Sequence, residues 1–194
     1  MATQILIPLK HLDSAKRRLH PQIGAEGRRS MMLGMLAHVA AEAVAADLGP
    51  VALASSEPRA PTIAAEHGIG LVDDGGLPWN EGLVHALGLL PAPPEAVLFL
   101  AGDLPLVTAD EIRQLAAAVP ARGVAIGRAH DGGTNALGLR PPNAVVPSFG
   151  SPKSARVHAQ LAERERLQVV VVDLPGIALD VDTPADAERA RLSA

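Results

Sequence analysis

Short apolar runs alternate along this chain with stretches whose apolar residues recur at helical spacing. Residues 4–9 (QILIPL) read as a buried strand, and a polar, basic loop follows over 10–24. Residues 25–46 place Met32, Leu36, Val39 and Ala43 on one helical face. A short strand is expected at 51–55, a helix from Pro58 to His67 and another short strand at 70–74. The helix expected from about Asn80 to Leu90 is ended by the Pro-rich PAPPEA. AVLFLAGD (96–103) opens with six apolar residues, the pattern of a strand covered on both faces. Thr108 is placed to cap the next helix, with Glu111 as its capping-box partner. Residues 123–129 and 134–140 read as strands around a His-Asp-Gly-Gly turn. A helix is expected over 151–165 and a strand over 167–174. Residues 184–192 form a last helix, with Pro184 in its first turn.

Such alternation predicts one three-layer α/β/α domain spanning 1–194 around a mostly parallel sheet. Ligands bind such sheets outside the C-terminal ends of the strands. That edge should gather Lys10 to Arg18, then Asp73 and Asp74, Asp103 and Asp180.

Composition narrows the chemistry. The 194 residues are 48% hydrophobic with very few aromatics, so Ala, Leu and Val must build the core. The absence of cysteine removes disulfides, zinc-thiolate sites and a cysteine nucleophile. The N-terminus lacks the basic segment of a signal peptide, and no run approaches a membrane span, so a cytoplasmic protein without membrane contact is expected. A net charge of −4 argues against nucleic acid as a partner. Yet Lys10, Lys16, Arg17 and Arg18 crowd together in this acidic chain, a pattern suited to a small anionic ligand.

Five segments could carry chemistry. In GDLP (102–105), Asp103 ends a buried strand, where an ionised carboxylate is costly unless paired or bound to a cation. It reads as a Mg²⁺ ligand beside nucleoside triphosphate phosphates, or more plainly as a turn or cap residue. In LDVDTPAD (179–186), Asp180 and Asp182 are expected to face opposite sides of an extended segment. One would complete a metal site with Asp103 and the other would cap the following helix. The basic loop offers Lys10, Lys16 and Arg18 to a triphosphate, without the glycine pattern of a P-loop or a dinucleotide fold. DGGTNAL (131–137) offers Thr134 and two glycines that allow close backbone approach to a ligand, or a simple hairpin turn. In SFGSPKSARVH (148–158), Gly150, Ser151, Lys153 and Ser154 stand at a loop-to-helix junction suited to a phosphate, or to ordinary capping. Asn80 could read a base or ribose edge, or cap a helix. The histidines show no metal-ligand spacing.

The ordered set PLKHLDSAKRRL, LPWNEGL, AGDLPLV, DGGTNALGLRPP, FGSPKSARVH and DVDTPAD resembles the CofC/FbiD guanylyltransferases of coenzyme F-420 biosynthesis. These belong to the MobA-like nucleotidyltransferases, with a Rossmann-like fold. The resemblance spans residues 8 to 186. It implies transfer of GMP from GTP to a small phosphorylated carboxylic acid, with release of pyrophosphate. The acceptor would be phosphoenolpyruvate, 2-phospho-L-lactate or 3-phospho-D-glycerate. By the same resemblance Asp103 and Asp180 hold Mg²⁺, and Thr134 and Gly150 contact the acceptor phosphate. Lys10, Lys16 and Arg18 contact the GTP phosphates, and Asn80 lies near guanosine. The family's usual serine after the FG glycine is replaced here by Lys153, flanked by Ser151 and Ser154, and its histidine falls one place later, at His158.

Two alternatives stand beside this expectation. One is another MobA-like enzyme acting on a molybdopterin or sugar phosphate, which the missing N-terminal glycine loop counts against. The other is a non-catalytic GTP-binding protein, which would have no need of two costly carboxylates at the phosphates. A homodimer is compatible with either.

Overall fold

The computed structural model describes residues 3–14 and 20–193. One seven-stranded sheet organises them, in the order β3-β2-β1-β4-β6-β5-β7. The strands are β1 (Thr3–Pro8), β2 (Val51–Ala54), β3 (Gly70–Val72), β4 (Ala96–Leu100), β5 (Gly123–Arg128), β6 (Thr134–Arg140) and β7 (Gln168–Val172). Helices α1 (His20–Ala45), α2 (Ala60–Glu66), α3 (Trp79–Gly88), α4 (Ala109–Ala118), α5 (Ser154–Arg164), α6 (Pro175–Ala178) and α7 (Pro184–Ser193) complete the order, with a 3₁₀ turn at Leu12–Ser14.

Alternation along the central strands creates the three layers. In β4, Leu98 and Leu100 join the cluster under α1 and α4, while Val97 and Phe99 face the cluster under α3 and α5. In β1, Ile5 and Ile7 face one side and Leu6 the other. Every residue of these two strands is buried, as their near-continuous apolar runs require. Phe99, 1% exposed, is the largest such side chain, and its burial alone is worth about 3 kcal/mol. Helix α1 is kinked where Gly24 leaves helical geometry, with φ 64° and ψ −173°. Thr108 and Glu111 form the expected capping box of α4.

Six strands run parallel, and β6 runs against both neighbours, β4 and β5. This reversal positions the site. It brings Thr134 and Asn135, at the start of β6, to the sheet edge where β1 and β4 end. Leu100 pairs with Ala136, and Ala101 N–H donates to the Asn135 carbonyl at 2.8 Å.

Candidate active site

A cleft of about 370 Å³ opens at that edge. The ends of β1 and β4 supply Leu9, Lys10, Gly102 and Asp103 to it, and β6 supplies Thr134 and Asn135. Trp79, Phe149, Gly150, Asp180 and Asp182 close its sides.

Three carboxylates meet on one wall. Asp103, Asp180 and Asp182 each offer an oxygen, and these oxygens lie within 4.8 Å of one another. One backbone hydrogen bond and one buried side chain bring them together. Val181 N–H donates to the Asp103 carbonyl at 3.3 Å, and the Val181 side chain is buried at 2% exposure, which pins the segment between its two acids. The expectation that Asp180 and Asp182 face opposite sides is thereby corrected, because residues two apart in extended backbone share a face. Neither serves as the helix cap. Asp186 Oδ2 accepts from the Thr183 N–H at 2.8 Å, and the Asp186 N–H donates to Thr183 Oγ1 at 3.3 Å, so Thr183 and Asp186 cap α7.

Asn135 orients the acid set. Its Nδ2 donates to Asp180 Oδ1 at 3.1 Å and to the Ile177 carbonyl at 2.9 Å. Burial, with the charges of Asp103 and Asp182, raises the Asp180 carboxyl above its ordinary value against the pull of the Asn135 hydrogen bond. Three carboxylates gathered this closely form an oxygen donor set that a hard divalent cation would neutralise.

Lys10 also lines the cleft, with its ammonium on Asp74 and on the Leu77 carbonyl, the latter at 2.7 Å. Asp74 is buried, which raises its pKa. Hydrogen bonds from Lys10, Ser56 and the Gly76 N–H outweigh that and hold it below the ordinary carboxylate range. Lys16 and Arg18 lie outside the described residues.

The remaining candidates separate. Thr134 and Gly150 line the cleft. Gly150 has φ 90°, a region that a residue with a Cβ enters only under strain, and no atom would crowd a Cβ there, so backbone conformation demands the glycine. Ser151, Lys153 and Ser154 are not among the lining residues. Ser151 Oγ accepts the Lys153 N–H at 3.2 Å in a turn ahead of α5, whose N-cap Lys153 makes no side-chain cap; Lys153 is exposed, and Ser154 is buried behind Thr134. Gly132 makes its close approach to the Pro152 carbonyl, 2.7 Å from where a Cβ would sit, so the hairpin alternative holds there. Asn80 neither lines the cleft nor caps α3. Its Oδ1 accepts the Phe149 N–H at 2.8 Å, and its Nδ2 donates to the Phe149 carbonyl at 3.4 Å.

Asn135 and Trp79 are site residues that sequence reasoning did not single out, while Asp74 is expected at this edge and His158 in the FG segment, neither with its partner. Asn135 lay within the GTNAL segment, one residue after Thr134. Nothing local in the sequence marks Asp74 as the partner of Lys10, 64 residues away.

Comparison with known proteins carries this geometry to a family. A sequence model described as "Guanylyl transferase CofC like" matches residues 3–190. The chain belongs to this family. The phosphoenolpyruvate guanylyltransferase of Sphaerobacter thermophilus is 39% identical over 194 residues, covering 97% of this chain and 92% of that protein. That of Rubrobacter xylanophilus is 33% identical over 196 residues, covering 100% and 95%. Among solved structures, a nucleotidyl transferase from Methanothermobacter thermautotroptrophicus superposes with a TM-score of 0.72 at 16% identity, covering 99% of this chain and 97% of that one. A CMP:2-keto-3-deoxy-manno-octonic acid synthetase complexed with CTP gives 0.65 at 16% identity, covering 100% and 98%. The nucleotidyltransferase fold expected from the ordered motifs is thus borne out, as is membership of a guanylyl transferase family. No helix among the described residues is long and apolar enough to cross a membrane.

Proposed function

We propose that this chain transfers GMP from GTP to the phosphate of phosphoenolpyruvate, releasing pyrophosphate. The observation that carries the reading is that the carboxylate trio, Lys10, Thr134 and Gly150 line one cleft. The names of the relatives at 39% and 33% identity support the choice of donor and acceptor.

An oxygen of the acceptor phosphate attacks the α-phosphorus of GTP. A new P–O bond forms there, the bond from the α-phosphorus to the β-phosphate oxygen breaks, and the electron pair leaves with pyrophosphate. A phosphate monoester is largely dianionic at neutral pH, so no strong general base is required. The demand on the protein is to hold two polyanions together. Lys10 commits two of its three N–H donors to described residues and turns the third toward a GTP phosphate. Lys16 and Arg18 add charge to the same phosphates. Thr134 and the Gly150 N–H hold the acceptor. Asp103, Asp180 and Asp182 would hold Mg²⁺, whose oxygen-rich donor preference they match. Bound there, Mg²⁺ supplies charge neutralisation for the reacting phosphates.

The test is pyrophosphate release from purified protein with Mg²⁺, GTP and, in separate reactions, phosphoenolpyruvate, 2-phospho-L-lactate and 3-phospho-D-glycerate. Release with phosphoenolpyruvate supports the reading, and preference for another acceptor replaces the substrate. Silence with all three, or preference for CTP or ATP, overturns it.

A further inference from the structure

Behind the cleft wall lies a buried polar chain that the reaction scheme does not explain. His158 on α5 is 0% exposed, and both of its ring nitrogens are engaged. The Ser148 N–H donates to Nε2 at 2.8 Å. Nδ1 lies 3.0 Å from Thr134 Oγ1. Ser154, 1% exposed, donates its hydroxyl to the same Thr134 oxygen at 3.2 Å.

The proton inventory follows from donor chemistry. A backbone N–H can only donate, so Nε2 must be an unprotonated acceptor. A neutral imidazole then carries its one proton on Nδ1, which must donate to Thr134 Oγ1. Burial holds His158 neutral, with its pKa lowered to about 4. Ser154 Oγ is buried and has no other hydrogen-bond partner among the described residues, so its proton must go to Thr134 Oγ1, which thus accepts twice, from His158 and from Ser154, with both lone pairs occupied. The Thr134 proton has to leave the buried chain. Thr134 lines the cleft, so the proton points there.

We propose that His158 is a positioning residue that makes the Thr134 hydroxyl a one-way donor into the cleft, so that this subsite accepts an oxyanion and rejects a group that must itself donate. A free hydroxyl rotates to suit either kind of ligand, whereas this one cannot. The consequence is selection by hydrogen-bond polarity: an ionised phosphate or carboxylate oxygen is taken, and a donor-only group such as an amide N–H or an ammonium at that point meets a proton facing a proton. This rests on the reading that Thr134 faces the phosphorylated acceptor.

Nitrogen-15 NMR of the unsubstituted protein at neutral pH tests the first link without any variant. His158 should show a protonated Nδ1 and an unprotonated Nε2. The opposite tautomer, or a doubly protonated ring, overturns the proposal. Steady-state kinetics test the second link. Thr134→Val should raise the acceptor KM by about tenfold while the KM for GTP stays within about twofold. Thr134→Ser, which keeps the hydroxyl, should recover most of that loss. His158→Phe should reproduce the Thr134→Val rise in acceptor KM with little change in kcat, and His158→Asn, which can still donate from the Nδ1 position, should recover part of it. No change in acceptor KM with Thr134→Val would sink the placement of the acceptor itself. A loss with Thr134→Val and none with His158→Phe would leave that placement standing and overturn the role of His158.

Discussion

Asn80 clasps the Phe149 peptide from both sides, accepting its N–H at 2.8 Å and donating to its carbonyl at 3.4 Å. The clasp ties the start of α3 to the loop that carries Gly150, across 69 residues of sequence. Asn80→Ala removes both bonds and leaves the Phe149 N–H to find another partner. The expected cost is about 2 kcal/mol in urea unfolding. Kinetically, the acceptor KM should rise more than the GTP KM. A rise confined to GTP would return Asn80 to the guanosine contact that its sequence motif implies.

Asp103 sits among like charges, so its removal should separate function from stability. Asp103→Asn should lower turnover by about 100-fold or more. In the presence of a chelator the variant should melt no lower than the parent, because one repulsion in the trio is gone. Added Mg²⁺ should raise the parent's Tm and barely move the variant's. Near-normal turnover in the variant would remove the carboxylate trio from the mechanism.

The carboxylates also predict opposite pH signatures. Asp180 is raised above its ordinary value of 3.8, so its contribution to stability is whole below that pH and drains as the pH rises through the folded pKa. Asp74 and Asp186 are lowered below 3.8, so theirs is whole above that value and is lost as the pH falls through their folded pKa values. In chelator, Asp180→Asn should gain on the parent in Tm as the pH rises from about 4 to 7. A gap between the two that stays constant with pH would contradict the strained ionisation of Asp180.

Gly176 is held where a Cβ would lie 2.2 Å from both Glu111 Oε2 and the Leu106 carbonyl. Its N–H donates to Glu111 Oε1 at 2.7 Å, and the next residue, Ile177, gives its carbonyl to Asn135. Gly176→Ala should cost about 1–3 kcal/mol through overpacking. Part of the displacement should reach Asp180 through Asn135, weakening Mg²⁺ binding in titration calorimetry. Unchanged stability would show that α6 moves without strain.

The one tryptophan of the chain gives a direct binding signal. Trp79 lines the cleft with 39% of its surface exposed. GTP should shift and quench its fluorescence and shield it from a soluble quencher. An indole indifferent to saturating GTP would place the nucleotide elsewhere.

Much of this architecture could be read from local pattern. All seven strands were expected within a few residues of where they fold, because each carries its own apolar run between turn residues. The capping box at Thr108 and Glu111 was equally legible, since both partners lie within one turn. Strand pairing beyond the β5–β6 hairpin was not, because a strand's neighbours are chosen by the whole sheet: nothing in TNALGLR announces that its other edge pairs antiparallel with β4. In the site, Asp103, Thr134 and Gly150 were named from their segments. The partnership of Asn80 with Phe149 and that of His158 with Thr134 join distant parts of the chain and leave no local trace. The short helix Pro175–Ala178 falls between the expected strand and the LDVDTPAD segment, where four residues are too few for a periodic signal.

The reversed strand β6 gives the cleft two walls of unequal tolerance. Thr134 and Asn135 open a strand that is hydrogen-bonded on both flanks from Ala136 onward, so changing their backbone disturbs the middle of the sheet. Residues 148–153 stand outside any strand, and this loop meets the cleft through Phe149 and Gly150. Under the proposed function, relatives that adopt a new acceptor would therefore diverge in the loop and keep the strand. An attempt to breed new acceptor specificity into this scaffold should randomise 148–153 and leave 134–140 alone.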